Sequence, residues 1–432
     1  MPDWEGYLLP IEYLVKQGRY WPDARMPGYG AVYLVGYLLT GEPHAARLLL
    51  IGFNFTLTSC AILASAIYIY RLSHSFLLFY LTAGIWLFSS ITYYWPMLLT
   101  DNPTAAGTAI LIILLLMGRY GWAGVLFTFL FFSRPASILI GLPALMIIAS
   151  RSVNFSSFLY ATIQFGALPT VAEIAWIVRN YILYRDFRPA MGNGTTTCDP
   201  AGSSDLIADF PTISVSYAIG LPHYTAAYTA LCYGRAIDSA DFFKLFLSYP
   251  LSAQDKHAIA SLLRLTAATA AELWDEGYRL TPTNRDKVCS KIDSIERLSQ
   301  KIARSIYVPL HVRIINRLIY TLFAEHIDRT RSFNPLNWDP ILSGYFIYNL
   351  IGVMFITFAG LGLIFLGMSC YRRKNVILNL ALYLIATIVP IFHILSGIIQ
   401  QRYLITYIPA MGFVVLIMLH LVGKKISFSI AL

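Results

Sequence analysis

The stretch DNPTAAGTAILIILLLMGRYGWAGVLFTFLFFSRPASILIGLPALMIIASR, residues 101–151, decides the fold. It contains three apolar runs, at 103–118, 121–132 and 136–149, and its only cations sit at the breaks, as Arg119, Arg134 and Arg151. Runs this apolar, punctuated by single arginines, belong to helices in lipid. Working outward, further runs lie at 44–70, 76–95, 158–180, 344–369, 376–398 and 402–421. If residue 1 is outside and each run crosses, the inner turns carry Arg71, Arg119, Arg151, Arg372, Arg373, Lys374, Lys424 and Lys425, and no acid. Translocating basic residues is costly, so this asymmetry sets an orientation. It puts Asp3, Glu5, Arg25, Asp101, Arg134, Arg179, Arg402 and the polar insert 184–340 on the outer face, where any chemistry is expected. The runs 121–132 and 136–149 fall short of the ~20 residues of a full crossing. They read either as two tilted short helices or as a re-entrant pair around Ser133-Arg134-Pro135, and the parity is the same for both.

Composition supports this reading. The chain has 432 residues, of which 57% are hydrophobic and only 13% charged, which excludes a disordered or ordinary soluble protein. Its net charge of +9 does not indicate a nucleic-acid partner: the insert holds 17 basic and 16 acidic residues, so the excess belongs to the membrane part and follows its topology. Cys60 and Cys370 lie in or beside apolar runs and read as small packing residues. Cys198, Cys232 and Cys289 fall in the insert, where an oxidising periplasm would allow one disulfide of undetermined pairing. Neither CxxC nor HExxH occurs, and there is no GxGxxG or Walker A loop. Residues 1–28 are polar and aromatic and would begin on the outer side with nothing to carry them there, so a further helix upstream is expected.

The organisation follows. Residues 1–43 form a first outer loop whose segment 29–39 suits an interfacial helix. Residues 44–183 form an N-terminal transmembrane bundle, 184–340 an outer helical domain, and 341–432 the C-terminal transmembrane helices. Within the insert, Val288, Ile292, Ile295, Leu298, Ile302 and Ile306 recur at helical spacing and predict one buried stripe; 253–275 and 310–327 read the same way. The fold class is therefore all-α, a polytopic helical membrane protein with a mostly helical insert.

Several outer residues carry potential chemistry, each beside a plainer role. Asp3 and Glu5 suit a general base, and equally a solvated tail. Asp101, before Asn102-Pro103, suits a site carboxylate or a helix N-cap. Arg134, Arg179 and Arg402 lie at outer helix ends, where they could grip phosphate oxygens in a fork or snorkel to headgroups. His393, three residues after Pro390, reads as a core or a site histidine. Glu173 is the one acid inside a predicted span.

At this point the chain resembles the GT-C superfamily of membrane glycosyltransferases, in the bacterial branch related to protein O-mannosyltransferases and lipid A aminoarabinose transferase. DWEGYLLPIEYLVKQGRYWPDARMPGYG (3–30) is similar to that family's first outer loop, and LLTDNPTAAG (98–107) to its second acidic turn. FSRPASILIGLPAL (132–145) resembles its helix break, with a basic residue before Pro. WIVRNYILYRDFRPAMGN (176–193) resembles the stretch leading to its outer domain, and QQRYLITYIP (400–409) the opening of a late helix. The resemblance implies Asp3 as catalytic base, with Glu5 beside it and Asp101 as a supporting acid near the acceptor or a metal. It implies Arg134, Arg179 and Arg402 at a donor phosphate, with Tyr7, Arg25, Asn180, His393 and Tyr403 lining the pocket. The donor would be a polyprenyl-phosphate-linked sugar drawn from among the membrane lipids. The acceptor, whether glycan, lipid or protein, stays open, as does a divalent metal ion. The implied location is the periplasmic side of a bacterial inner membrane. The rival readings are a lipid or sugar transporter, which should bind near the midplane, and a non-catalytic scaffold of the same fold.

The topology is testable directly. A membrane-impermeant thiol reagent on intact cells should label Pro250→Cys and spare Lys374→Cys; the reverse pattern would overturn the orientation.

Overall fold

The computed structural model describes residues 5–18, 20, 26–89, 91, 96, 98–184, 252–274, 285–305, 309, 311–312, 344–373, 375–396 and 401–423. Among the described residues the chain is all α-helical, with no strand. The helices are α1 (Glu5–Gln17), α2 (Gly28–Thr40), α3 (Pro43–Ser73), α4 (Phe76–Phe88), α5 (Asp101–Leu116) and α6 (Tyr120–Ser133). A 3-10 turn (Pro135–Ile140) leads into α7 (Gly141–Arg151), followed by α8 (Phe155–Tyr184), α9 (Ala253–Trp274) and α10 (Arg285–Ser305). The last three are α11 (Gly344–Arg372), α12 (Val376–Ser396) and α13 (Gln401–Gly423). Four of them, α3, α8, α11 and α12, contain stretches long and apolar enough to cross a membrane.

Helix α5 is the axis of the bundle. It packs on α3, α6, α7, α12 and α13, and only Ile110 and Leu114 of its residues are not fully buried. A helix apolar all round belongs at such a centre. Its Ala105, Ala106, Gly107 and Ala109 let neighbours approach closely; a Cβ on Gly107 would lie 2.6 Å from Leu130 of α6. Gly124 does the same between α6 and α8, where an added Cβ would run into the Phe165 carbonyl.

The segments left open as tilted or re-entrant are two short antiparallel helices, broken at Arg134, whose backbone is extended (φ −147, ψ 101) ahead of Pro135. Proline disfavours helical geometry in the residue before it, so the break is local chemistry. The ends of the bundle follow from the alternation. At one end, Arg151 donates to the carbonyl of Leu116, the last residue of α5, and Arg372 donates to Val422 in the last turn of α13 at 2.9 Å. Arginine suits these positions because terminal helix carbonyls lack intrahelical partners and carry the negative end of the dipole. Arg71, Arg119 and Arg373 occupy the helix ends and turns of this same basic end. At the other end lie Asp101, Arg134 and the first turns of α13.

Helix lengths shape that second end. With 16 residues, α5 rises about 24 Å, less than a ~30 Å hydrocarbon core, and α6 is shorter still. Helices α3 and α8, with 31 and 30 residues, rise about 45 Å. Longer helices thus stand around a shorter centre. Helix α2 lies antiparallel along the first half of α3: Gly41 (φ 72) closes the hairpin, a Gly36 Cβ would lie 3.3 Å from Ala46, and Asn54 meets Tyr29. Helix α2, within the segment expected at the interface, forms a helical hairpin with α3, and α1 packs on it.

In the insert, α9 and α10 pack on one another. Val288, Ile292, Ile295 and Ile302 are buried as their spacing predicted, Leu298 is half-buried, and Ile306 and most of 310–327 lie outside the described residues. Cys289 on α10 is disulfide-bonded; Cys60 and Cys370 are free; Cys198 and Cys232 lie outside the described residues. Ile295→Asp should destabilise the α9–α10 pair by several kcal/mol, because it buries an unpaired charge. Limited proteolysis or a melting curve of the purified protein reads this, and an unchanged profile would show that the stripe is not a core.

Candidate functional site

The site is built where α5 begins. Asp101 stands in the first turn of α5, where the helix dipole favours a carboxylate. It is not the cap: Thr100 holds the capping position and makes no side-chain cap bond. The Asp101 side chain turns instead to Arg134 and Thr406. Arg134 Nη2 donates to Asp101 Oδ1 at 3.2 Å, and Thr406 Oγ1 donates to the same oxygen at 3.0 Å. The triangle closes with Arg134 Nη1 donating to Thr406 Oγ1 at 3.4 Å. The ion pair is well buried, with side chains 3% and 10% exposed for Asp101 and Arg134. Three elements far apart in sequence are tied at one point: the start of α5, the break after α6, and the second turn of α13.

A polar patch spreads from this triangle. Tyr7 of α1 and Thr100 share a hydrogen bond of 3.3 Å between their hydroxyls. Tyr7 packs edge-on against Tyr29, centroids 5.8 Å apart, and Tyr29 accepts from Asn54 Nδ2 at 2.9 Å. One turn further along α3, Thr58 accepts from Asn102 Nδ2 at 3.3 Å. Thr104 and Ser133, beside Asp101 and Arg134, are buried with hydroxyls that bond no described residue. Hydroxyls in that state are available to a polar ligand group.

Arg179 lies at the same end on α8, in a separate setting. Its guanidinium stacks 4.6 Å from the Trp176 ring and 5.5 Å from Tyr20. It donates to Asn180 Oδ1 at 2.9 Å and to the Tyr20 carbonyl at 3.4 Å. Trp176 reaches Phe132, next to the Arg134 break, with centroids 6.3 Å apart. Met26 is buried among Phe131, Phe132 and Trp176, and a Cβ on Gly28 would lie 2.5 Å from the Phe132 carbonyl carbon. The end of the first loop is thus pressed directly against the Arg134 turn, which only glycine permits here. Nearby, Glu12 of α1 pairs with Arg47 of α3 at 3.0 Å and accepts from Tyr33 at 2.9 Å.

The expected site residues therefore divide. Tyr7, Asp101 and Arg134 are brought together, and Arg179 and Asn180 flank them on α8. His393 is buried in the last turn of α12, and Glu173 is half-buried on α8. Asp3 and Arg25 lie outside the described residues, as do the side chains of Glu5, Arg402 and Tyr403; Arg402 precedes Thr406 by one turn of α13. Thr406, Asn54, Thr58, Tyr29 and Thr100 were not singled out from sequence. No local signal marks them, although Asn54 within an apolar run was a weak one. Among the described residues no three His, Cys, Asp or Glu side chains come together as a metal site would require. No family model, curated protein or solved structure matches the chain.

The triangle sets a stability prediction. Arg134→Met should cost about 3–5 kcal/mol, since it strands a buried carboxylate, and Thr406→Val about 1 kcal/mol. Combining Arg134→Met with Asp101→Asn should recover much of the loss, because the stranded charge disappears. Denaturant titration of the detergent-solubilised protein measures all three; additive losses in the double variant would show that the pair is not coupled.

Proposed function

We propose that this chain is a multi-pass membrane glycosyltransferase of the GT-C kind, acting on the periplasmic side of a bacterial inner membrane. The observation that carries the reading is the Tyr7–Thr100 hydrogen bond. It ties the first-loop acidic motif to the turn holding Asp101 and, through Asp101, to Arg134. Asp3 is four residues from Tyr7, so their Cα atoms are at most about 14 Å apart. An acid-bearing loop and an anchored arginine at one recessed end suit an inverting transfer from a lipid-phosphate donor. The disulfide at Cys289 supports an oxidising compartment for the insert. Asp101 at a helix start, rather than mid-helix, favours an enzyme over a transporter with a midplane site.

In this reading the acceptor hydroxyl attacks the anomeric carbon of the polyprenyl-phosphate-linked sugar. Asp3 takes the hydroxyl proton, the anomeric bond to the phosphate oxygen breaks, and configuration inverts. Negative charge builds on the departing phosphate, and Arg134, Arg179 and Arg402 offset it. Asp101 and Thr406 act as positioning residues that hold the Arg134 fork in place. Oδ1 of Asp101 is engaged by Arg134 and Thr406, so in this reading Asp101 supports the site through Arg134.

Asp3→Asn should lower transfer from a polyprenyl-phosphate sugar by roughly 10²–10⁴-fold while leaving donor binding nearly intact, since only the proton acceptor is lost. Arg402→Ala should weaken donor binding and turnover together. Loss in Glu5→Gln with full activity in Asp3→Asn would move the base to Glu5. Full activity in both would refute the first-loop mechanism.

A further inference from the structure

The basic end carries features that sugar transfer does not use. Four tight turns close it: His74-Ser75 between α3 and α4, Met117–Arg119 between α5 and α6, Ser152–Asn154 between α7 and α8, and Arg373–Asn375 between α11 and α12. Left-handed residues make three of them tight, namely His74 (φ 53), Gly118 (φ 73) and the pair Arg373 and Asn375 (φ 51 each). Each turn brings an arginine. Two of these are engaged inwardly, Arg151 on the Leu116 carbonyl and Arg372 on that of Val422. The other three, Arg71, Arg119 and Arg373, are exposed, and their guanidiniums make no hydrogen bond or ion pair with a described residue. No described acid lies at this end to neutralise them.

Their neighbours are aromatic and equally exposed. Trp122 follows Arg119 by three residues and is 69% exposed, Phe76 and Tyr80 follow Arg71, and Tyr371 precedes Arg373 and is 90% exposed. Aromatic rings interleaved with cations at the end of an apolar bundle match the depth where acyl chains meet headgroups. The surface is continuous with the outward apolar side of α4, where Leu77, Leu81 and Phe88 are exposed. A soluble acidic partner would not need that apolar continuation.

We infer that Arg71, Arg119 and Arg373, with Phe76, Tyr80, Trp122 and Tyr371, form a docking surface for anionic phospholipid headgroups. The inference rests on the membrane reading and not on sugar transfer. The headgroup phosphates pair with the three free guanidiniums, while the rings hold the acyl-chain boundary. Bound lipid bridges turns of three helix pairs, so it stabilises the bundle by mass action. The pairing is electrostatic and weakens with salt.

The test uses the full chain purified in a zwitterionic detergent, with a melting curve and native mass spectrometry of retained lipid. Phosphatidylglycerol should raise the melting temperature and stay bound at low salt, and phosphatidylcholine should not. Each arginine near an anionic surface is worth about fivefold in affinity, so Arg71→Gln/Arg119→Gln/Arg373→Gln should bind phosphatidylglycerol on the order of 100-fold more weakly. The triple variant should melt like the parent in phosphatidylcholine, because none of the three guanidiniums bonds a described residue. Soluble glycerol phosphate at equal charge should give no shift, since it lacks the chains that the rings hold. Equal retention by parent and variant, or an equal shift with phosphatidylcholine or glycerol phosphate, would overturn the proposal. If the variant fails to fold, Trp122→Ala with Tyr371→Ala takes its place, and undiminished lipid retention there would overturn it too.

Discussion

A carboxylate and a guanidinium shut away from solvent inside an apolar bundle govern how the rest of the chain can be arranged. Removing such charges from water is expensive, and only close geometry with further hydrogen bonds offsets it. The Asp101–Arg134 pair meets that condition by recruiting Thr406 to the same oxygen. Once formed, it fixes the start of α5, the break after α6 and the early turns of α13 relative to one another. The rotation of α13 about its axis is set by which residue faces the pair, and Thr406 has that place. A buried charge pair of this kind is better evidence for specificity than for net stability, because a well-packed apolar substitute would hold the helices as firmly.

The depth of the pair follows from helix length. The 16 residues of α5 do not reach across a full hydrocarbon core, while the 30 and 31 residues of α8 and α3 exceed it. The pair therefore sits at the bottom of a recess with taller walls. Into that recess comes the first loop, held by Tyr7 on Thr100 and by Gly28 against the Phe132 backbone. The polar groups of the recess are mostly neutral amides and hydroxyls, which can be buried in mutual pairs at modest cost. In the proposed reading, such a patch would receive the polar end of a lipid-linked donor.

The opposite end uses arginine differently. Arg151 and Arg372 spend their charge on the terminal carbonyls of α5 and α13, where unpaired oxygens and the helix dipole both favour a cation. They tie helix ends together through backbone carbonyls. The exposed arginines beside them leave a net positive surface, so the two ends of one bundle differ in charge, in depth and in kind. One end holds a buried, neutralised pair, and the other is cationic.

The sequence by itself determined the helical class, the apolar runs long enough to cross a membrane and the gathering of basic residues at helix ends, since each rests on the local free energy of placing a side chain in lipid or water. The break at Ser133-Arg134-Pro135 was legible for the same reason, as proline acts on its immediate neighbour. So was the buried stripe of α10, because period-3.6 spacing is a property of one helix. The tertiary structure alone decided that Asp101 faces Arg134 rather than capping α5, that Thr406 completes the pair, and that Arg179 stacks on Trp176 and Tyr20. It alone turned 28–40 into half of a hairpin on α3. These outcomes join residues up to 305 positions apart, and which of several cations meets a given carboxylate depends on how the helices are rotated and how deep they sit. No window of sequence contains that information, because it is fixed by the close packing of many helices at once.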